Sequence, residues 1–452
     1  MESWEGPIDT GEVPPDRSSF DVIVVGGGPC GSAAAAYNAM NGCKVLLIEK
    51  EIWPRDKPCG DAVGGKSLSH VEELGVKAMI EGTPHFRVDS IIFGSANGST
   101  VRVMLPKEEY ENKMAGYSLP RVQFDYMMFK RAAELVLEAG GSVIQGFSVM
   151  DVTTDYMRVT GIAGRFGGRL STNSSLSFKA PLTVGAGGYN CPVAKTVTEV
   201  IHGETMRDDE HYCGAYREYW ENVEGFEGSE GPIEIHFVDA VNPGYFWLFP
   251  VKEGVVNVGI GMVISEQRKQ TGMKKSLKKM QKWVIEEHPQ FKERFANSSL
   301  VPGSQKGWQL PFGSPRKEPP SFQPRRSATA GAMCVGDAAS LVDPFTGEGI
   351  GNGLVSAKLT SKHFDKDAHS GGFPEEVAVA YMEELWGTLG KELSNSYRLQ
   401  RLAKRKWLMN WFFGKASRKE ELADMLTGMI ADKEASKVLW SPWFLAKTLL
   451  LP

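Results

Sequence analysis

The run Phe20-Asp-Val-Ile-Val-Val25 is short and β-branched, and it feeds directly into Gly26-Gly-Gly28-Pro-Cys30-Gly31. A run of that kind reads as a buried parallel strand. Ser32–Met40, with four consecutive alanines, reads as helix, and Lys44-Val-Leu-Leu-Ile48 reads as a second strand ending at Glu49. Gly26 permits a tight turn, Gly28 lets the backbone approach a pyrophosphate, and Gly31 lets helix and strand pack closely. The helix N-terminus favours phosphate charge, while Glu49, 18 residues past Gly31, can accept hydrogen bonds from ribose hydroxyls. Together these predict an α/β fold built on a Rossmann-like unit that binds an adenine dinucleotide. The motif alone does not separate NAD from FAD.

Composition narrows the class. Fifty-one basic residues against 55 acidic give a net charge of −4, which argues against a general nucleic-acid binder. The six cysteines (Cys30, Cys43, Cys59, Cys191, Cys213, Cys334) form no CxxC pair, so a zinc ribbon or iron–sulfur cluster is not expected. The eight histidines show no HExxH spacing, and no metal is expected. The first nineteen residues are polar and acidic, lack signal-peptide or transit-peptide features, and read as a loose tail on a cytoplasmic protein. No window reaches 18 uninterrupted apolar residues, so no bilayer span is expected. From Arg398 to Lys419 the chain carries eight basic residues and no acid, around Trp407-Leu-Met-Asn-Trp411-Phe-Phe413. A second apolar stretch, Val438 to Leu451, adds Trp440, Trp443 and Phe444. Basic residues beside aromatics suit an anionic membrane surface, and such helices equally suit packing on the body of the protein.

A distant segment decides the cofactor. Ala332-Met-Cys-Val-Gly336-Asp337 reads as another buried strand, followed by Asp343-Pro-Phe-Thr-Gly347-Glu-Gly349-Ile350-Gly351-Asn-Gly353 opening a helix over 354–362. This arrangement resembles the flavoproteins of the p-hydroxybenzoate hydroxylase superfamily. The resemblance implies FAD, with Asp337 at the ribityl and pyrophosphate region. It sets Gly347, Gly349 and Ile350 at the flavin pyrimidine edge, where a helix N-terminus stabilises the charge of reduced flavin. Arg121, in Pro120-Arg-Val-Gln-Phe-Asp125, matches the superfamily's R-x-x-F/L-D and would contact FAD. The same resemblance carries cofactor contacts to Cys30, Lys50, Val63 and Val149.

Three local features bear on the chemistry. Asp56-Lys57-Pro58-Cys59-Gly60-Asp61-Ala62-Val63 resembles the K-x-C-G-x-A segment of the geranylgeranyl reductase family, which implies that Cys59, Gly60 and Asp61 run along the isoalloxazine. Pro243-Gly-Tyr245-Phe-Trp247-Leu-Phe249-Pro250 resembles that family's P-x-x-Y-x-W-x-F-P, with one residue instead of two between Pro243 and Tyr245. On a strand, Tyr245, Trp247 and Phe249 share a face, an aromatic wall suited to a long hydrocarbon. In Val184-Gly-Ala-Gly187-Gly, Gly187 stands where hydroxylases carry an Asp that engages nicotinamide, which lowers the hydroxylase reading and leaves the electron donor open.

The resemblance spans most of residues 18–450 and is weakest over 265–325 and the tail. It points to the archaeal digeranylgeranylglycerophospholipid reductase type, with the chlorophyll-pathway type as the alternative. The implied reaction saturates C=C bonds of geranylgeranyl chains in ether-lipid precursors, by hydride from reduced FAD N5 plus a proton. Cys59 and Tyr245 are the implied catalytic residues, and Trp247, Phe249 and Gly60 the substrate contacts. The implied partners are a prenyl lipid, an external donor (NADPH, ferredoxin or another reductant) and the inner membrane surface. A flavin halogenase or monooxygenase is the main rival, since Tyr245–Pro250 is a loose cousin of W-x-W-x-I-P. A lipid-binding flavoprotein without catalysis is another. A quinone-linked dehydrogenase would need cysteines after Cys334, and there are none.

The expected organisation interleaves an FAD domain (18–85, 117–195, 325–372) with an antiparallel-sheet substrate domain (86–116, 196–324) and a helical region (373–452). Strands are expected near 90–93, 101–105, 233–238, 246–251 and 255–262.

Overall fold

The computed structural model describes residues 7–104, 116–316 and 324–416. Among these residues the strands form three sheets. The first runs, in order, Ala328–Thr329, Ala332–Cys334, Leu182–Gly185, Val22–Val25, Val45–Ile48 and Ser142–Ile144. Its pairings are parallel except between Ala328–Thr329 and Ala332–Cys334. Val22–Val25, Val45–Ile48 and Leu182–Gly185 are buried at every position, which is why the first two read as unbroken apolar runs and the third departs from one only at the small Thr183. Helix Pro29–Met40 packs between helices Arg121–Glu138 and Ile350–His363. Its alanines, with Ala33, Ala34 and Ala35 wholly buried, keep it thin enough for that close approach.

A three-stranded antiparallel sheet, Phe147–Asp155, Arg158–Phe166 and Leu176–Lys179, is separate in its strand pairing, but its Phe147, Ile162 and Phe178 pack into the parallel-sheet core. The third sheet has ten strands, with Phe86–Ser95, Glu230–Phe237, Gly244–Lys252, Val255–Val263 and Tyr212–Glu221 as successive neighbours. Thr100–Met104 pairs with Phe86–Ser95. Every expected strand of this group is present, Leu105 lying outside the described residues. Period-two alternation gives the sheet two unlike faces. Phe246, Leu248, Val256, Val258 and Ile260 join Met280 and Val284 of helix Leu277–Glu286 on one side. Tyr245, Trp247, Phe249, Ile235 and Phe237 pack together on the other. That second face lies against the glycine-rich segments of the parallel-sheet unit, for Phe249 meets Gly60 and Tyr245 meets Gly347.

Two expectations are corrected. The helix after the second glycine-rich segment begins at Ile350, not 354. Gly351 and Gly353 are poor helix formers, but a Cβ at Gly351 would stand 2.9 Å from Lys66 Cβ, so packing overrides propensity there. The amino-terminal tail is not loose throughout. Arg17 N donates to Ser177 O at 2.8 Å, Ser177 N to Asp16 Oδ1 at 2.8 Å, and Phe20 N to Lys179 O at 2.9 Å.

Helix Glu375–Ala403 follows, and its Tyr381, Leu385 and Leu389 sit in the parallel-sheet core. Helix Lys406–Ala416 carries Phe413 into the aromatic face of the ten-stranded sheet. Among the described residues no helix is long and apolar enough to cross a membrane. The stretch with Trp440, Trp443 and Phe444 lies outside the described residues.

Candidate active site

The first glycine turn has the geometry its residues predict. Gly26 sits at φ +112°, and a Cβ there would be 2.5 Å from Ala186 O. A Cβ at Gly31 would overlap the Gly26 carbonyl oxygen. Helix Pro29–Met40 starts after Gly28 with no side-chain cap and no acid in its first turn. Its leading N–H groups are therefore free to take an anion. Glu49 is buried, and its carboxylate accepts from Gly27 N at 2.8 Å and Glu51 N at 3.0 Å. Each oxygen keeps a lone pair for a ribose hydroxyl.

Other expected cofactor residues fall less uniformly. Lys50 points outward, 3.6 Å from Glu51 with its side chain 66% exposed. Cys30 wedges between Gly336 and Gly353, joining the two glycine-rich segments, and burial pushes its thiol up to about 12. Val149 is half-buried at an irregular pairing of strand Phe147–Asp155, and Val63 is buried beside Tyr117. Asp337 takes Lys57 Nζ at 3.0 Å, which ties the Cys59 segment to the second glycine-rich region.

Arg121 is the buried charge at the centre. Its Nε lies 2.5 Å from Asp125 Oδ1 and its Nη2 2.9 Å from Oδ2, a forked pair, and the guanidinium also faces the Cys59 thiol. Burial works against that charge, but Asp125 and Cys59 outweigh it and hold Arg121 well above its ordinary range. Arg55, which the sequence did not single out, completes the group. It stacks on Trp53 at 4.3 Å, reaches Asp125 at 3.0 Å, and hangs over the glycine turn with Nη2 3.4 Å from where Gly28 would carry a Cβ.

The aromatic strand closes the other side. Tyr245 donates its hydroxyl proton to Thr346 O at 2.6 Å, just ahead of the helix start, where a Cβ at Gly347 would overlap that hydroxyl. Trp247 lies across Gly259, where a Cβ would collide with its ring. Phe249 lies against Gly60, 2.8 Å from where a Cβ would stand. Between this strand and the helix start is a pocket of about 520 Å³, part of it open to solvent. Tyr245, Trp247, Phe237, Phe345, Cys213 and Phe312 line it; Phe249 and Cys59 stand outside the lining. At the helix start Glu348 accepts from Gly351 N at 2.5 Å, and burial, opposed by Lys66, pushes its carboxyl up to about 7.

A family model described as an FAD binding domain matches residues 19–300. The chain belongs to that family. It is similar to a digeranylgeranylglycerophospholipid reductase of Picrophilus torridus, 26% identical over 436 residues, covering 93% of each chain. It is also similar to a menaquinone reductase of Mycolicibacterium smegmatis, 27% identical over 352 residues, 76% of this chain and 75% of that one. A geranylgeranyl bacteriochlorophyll reductase-like structure from Thermoplasma acidophilum superposes with a TM-score of 0.70 at 22% identity, covering 94% and 99% of the two chains. The fold is the mixed α/β flavoprotein fold.

The residues of this FAD-binding protein fit the cofactor. The uncapped helix start at Gly28 suits the pyrophosphate, and the second start at Gly349 likewise carries no capping bond from its own N-cap residue. Arg55 was missed because it follows Trp53-Pro54 in what reads as an ordinary loop; an arginine six residues past Glu49 was the available signal.

Proposed function

We propose that this flavoprotein saturates C=C bonds in the prenyl chain of a lipid, foremost the geranylgeranyl chains of archaeal-type ether-lipid precursors. The observation that carries this reading is the chemistry of the pocket: a narrow, apolar, aromatic cleft whose rim is the glycine-rich helix start. The relatives' names support it, since the archaeal lipid and menaquinone have one structural element in common, a polyprenyl chain. The mycolicibacterial relative favours menaquinone as the second reading.

Bound FAD, reduced by an external donor such as NADPH or ferredoxin, supplies the hydride equivalent. The protein's own part is to hold, exclude water and deliver a proton. In this reading Gly26, Gly28, Gly31, Glu49 and Arg55 hold the dinucleotide, and Arg121, Asp337, Gly347, Gly349 and Ile350 hold the flavin half. Trp247 and Phe237 grip the hydrocarbon. Burial raises the Tyr245 hydroxyl, and its proton is engaged by a carbonyl that has none to return, which leaves Cys59 as the acid to test. Cys59→Ala should lower turnover by roughly 10²-fold, the low end for a general acid, while FAD stays bound. Unchanged turnover would remove Cys59 from the chemistry.

The deciding experiment is anaerobic. Protein reduced with dithionite is mixed with a geranylgeranyl lipid or with menaquinone, and flavin reoxidation is followed beside product mass. Reoxidation with two hydrogens gained per turnover in the chain is expected. For menaquinone the mass is read after air has reoxidised the ring, which separates chain saturation from ring reduction. Flavin that stays reduced until oxygen enters, with no saturated product, sinks the reading and shifts weight to the oxygen-using halogenase or monooxygenase.

We place the membrane beside helix Lys406–Ala416. Its Trp407 is 64% exposed, while its Phe413 stacks on Phe237 of the pocket wall at 5.6 Å. Flotation with anionic vesicles is expected, weakened by Trp407→Ala; equal flotation of the variant would move the contact elsewhere.

A further inference from the structure

Strand Val255–Val263 is apolar except for Asn257, which is fully buried. Its amide Nδ2 donates to Cys59 O at 2.7 Å and to Asp61 Oδ2 at 2.7 Å, and its Oδ1 accepts from Trp247 Nε1 at 2.8 Å. The orientation is fixed by chemistry. An indole N–H can only donate and a peptide carbonyl can only accept, so the amide fits one way round. Asp61 is also fully buried, at φ +68°, and the same Oδ2 accepts from Tyr219 OH at 2.5 Å. Its Oδ1 faces Arg121 N at 3.3 Å. One side chain thus links the Cys59 segment, a buried carboxylate and the central ring of the aromatic wall.

We propose that Asn257 and Asp61 form a clamp that holds the Cys59–Gly60 segment in register with Trp247, so that the acid and the hydrocarbon wall keep one fixed relation. They are positioning residues, and this rests on the prenyl-reductase reading only for the identity of the reaction. The clamp is closed when Asp61 is ionised, because a carboxylate oxygen can accept from Tyr219 and Asn257 together, whereas a protonated oxygen has less to offer both. The groups facing Asp61 are Tyr219 and Arg217 from strand Tyr212–Glu221, Asn257 from its neighbour, and Arg121 from helix Arg121–Glu138. Arg217 is in turn paired with Asp56 at 2.8 Å, and Lys306 reaches the same carboxylate at 3.0 Å. Burial pushes the Asp61 carboxyl up to about 6, opposed first by Arg217, so the closed setting holds at neutral pH and loosens as pH falls through that value.

The test reads Cys59 directly and needs no lipid. In the FAD-loaded protein, the iodoacetamide labelling rate of Cys59 is measured by peptide mass for wild type, Asn257→Asp, Asp61→Asn and the double variant, with flavin absorbance and far-ultraviolet dichroism as checks of folding. Asn257→Asp sets acceptor against acceptor at both Cys59 O and Asp61, and labelling should rise roughly tenfold. Asp61→Asn added to it restores a donor–acceptor pair between 61 and 257 and should bring labelling back most of the way. A single variant that labels at the wild-type rate, or a double no closer to wild type than the single, overturns the clamp. If Asn257→Asp yields no holoprotein, Asp61→Asn alone decides. Faster labelling than wild type at pH 7.5, with a smaller difference at pH 5, supports the clamp; identical profiles reject it. Turnover is a separate readout, in which kcat should fall with KM nearly constant. Absence of lipid turnover in wild type would sink the reductase reading and leave the labelling result standing.

Discussion

Protein carrying Gly31→Val should purify colourless. The expected flavin occupancy is below about one tenth of wild type, because the glycine-to-helix packing on which dinucleotide binding depends is lost. The reason is backbone against backbone. Any Cβ at position 31 overlaps the Gly26 carbonyl oxygen and stands 2.9 Å from Ala186 Cβ. Neither neighbour can swing away as a side chain would, since Gly26 is the exit of strand Val22–Val25 and Ala186 follows the paired strand Leu182–Gly185. Helix Pro29–Met40 would have to lift off the sheet, and its uncapped N–H groups would move with it. Gly387→Ala is the control. It lies inside helix Glu375–Ala403 with nothing within 4 Å of a new Cβ, so flavin content should not change. The same substitution should add up to about 1 kcal/mol of stability from helix propensity. Full occupancy by flavin in the Gly31→Val protein would show that the glycine turn is not the cofactor cradle.

What the sequence made legible follows the range of each interaction. The glycine turn, the small-residue helix and the acid after the second strand act over 30 residues, and each has one physical solution, so the pattern names the geometry. The alternation of Tyr245, Trp247 and Phe249 was equally local, and the strand puts all three on one face. The pocket was not local. Cys213, Phe237, Phe312 and Phe345 come from four separate segments, and nothing in any one of them marks a shared cavity. Phe249 has the right parity yet misses the lining, because Gly60 lets its ring settle against the Cys59 segment. Asn257 left a faint mark, a lone amide inside an apolar strand, but its partners Cys59 and Asp61 lie 198 and 196 residues away. Such a residue announces that it needs partners without saying which ones. Arg55 left less, since a loop arginine is ordinarily solvated.

Arg121→Met is expected to damage stability and flavin binding together, and a second substitution should separate them. Arg121 is 2% exposed and Asp125 is wholly buried, so the pair sits where an uncompensated charge is costly. Removing one member of a buried pair typically costs about 3–5 kcal/mol. Arg55 still reaches Asp125 at 3.0 Å, which favours the lower end of that range. Against a total of about 5–15 kcal/mol for a typical domain, even that should shift the denaturant midpoint plainly downward. Adding Asp125→Asn removes the stranded charge, and much of the lost stability should return. If Arg121 served only to neutralise Asp125, flavin affinity would return with it. If Arg121 contacts the cofactor, as its place beside Cys59 and the glycine turn argues, the double variant should be stable and still release FAD. A double variant that regains both would reduce Arg121 to a structural partner of Asp125, and the cationic contact to the flavin would then fall to Arg55.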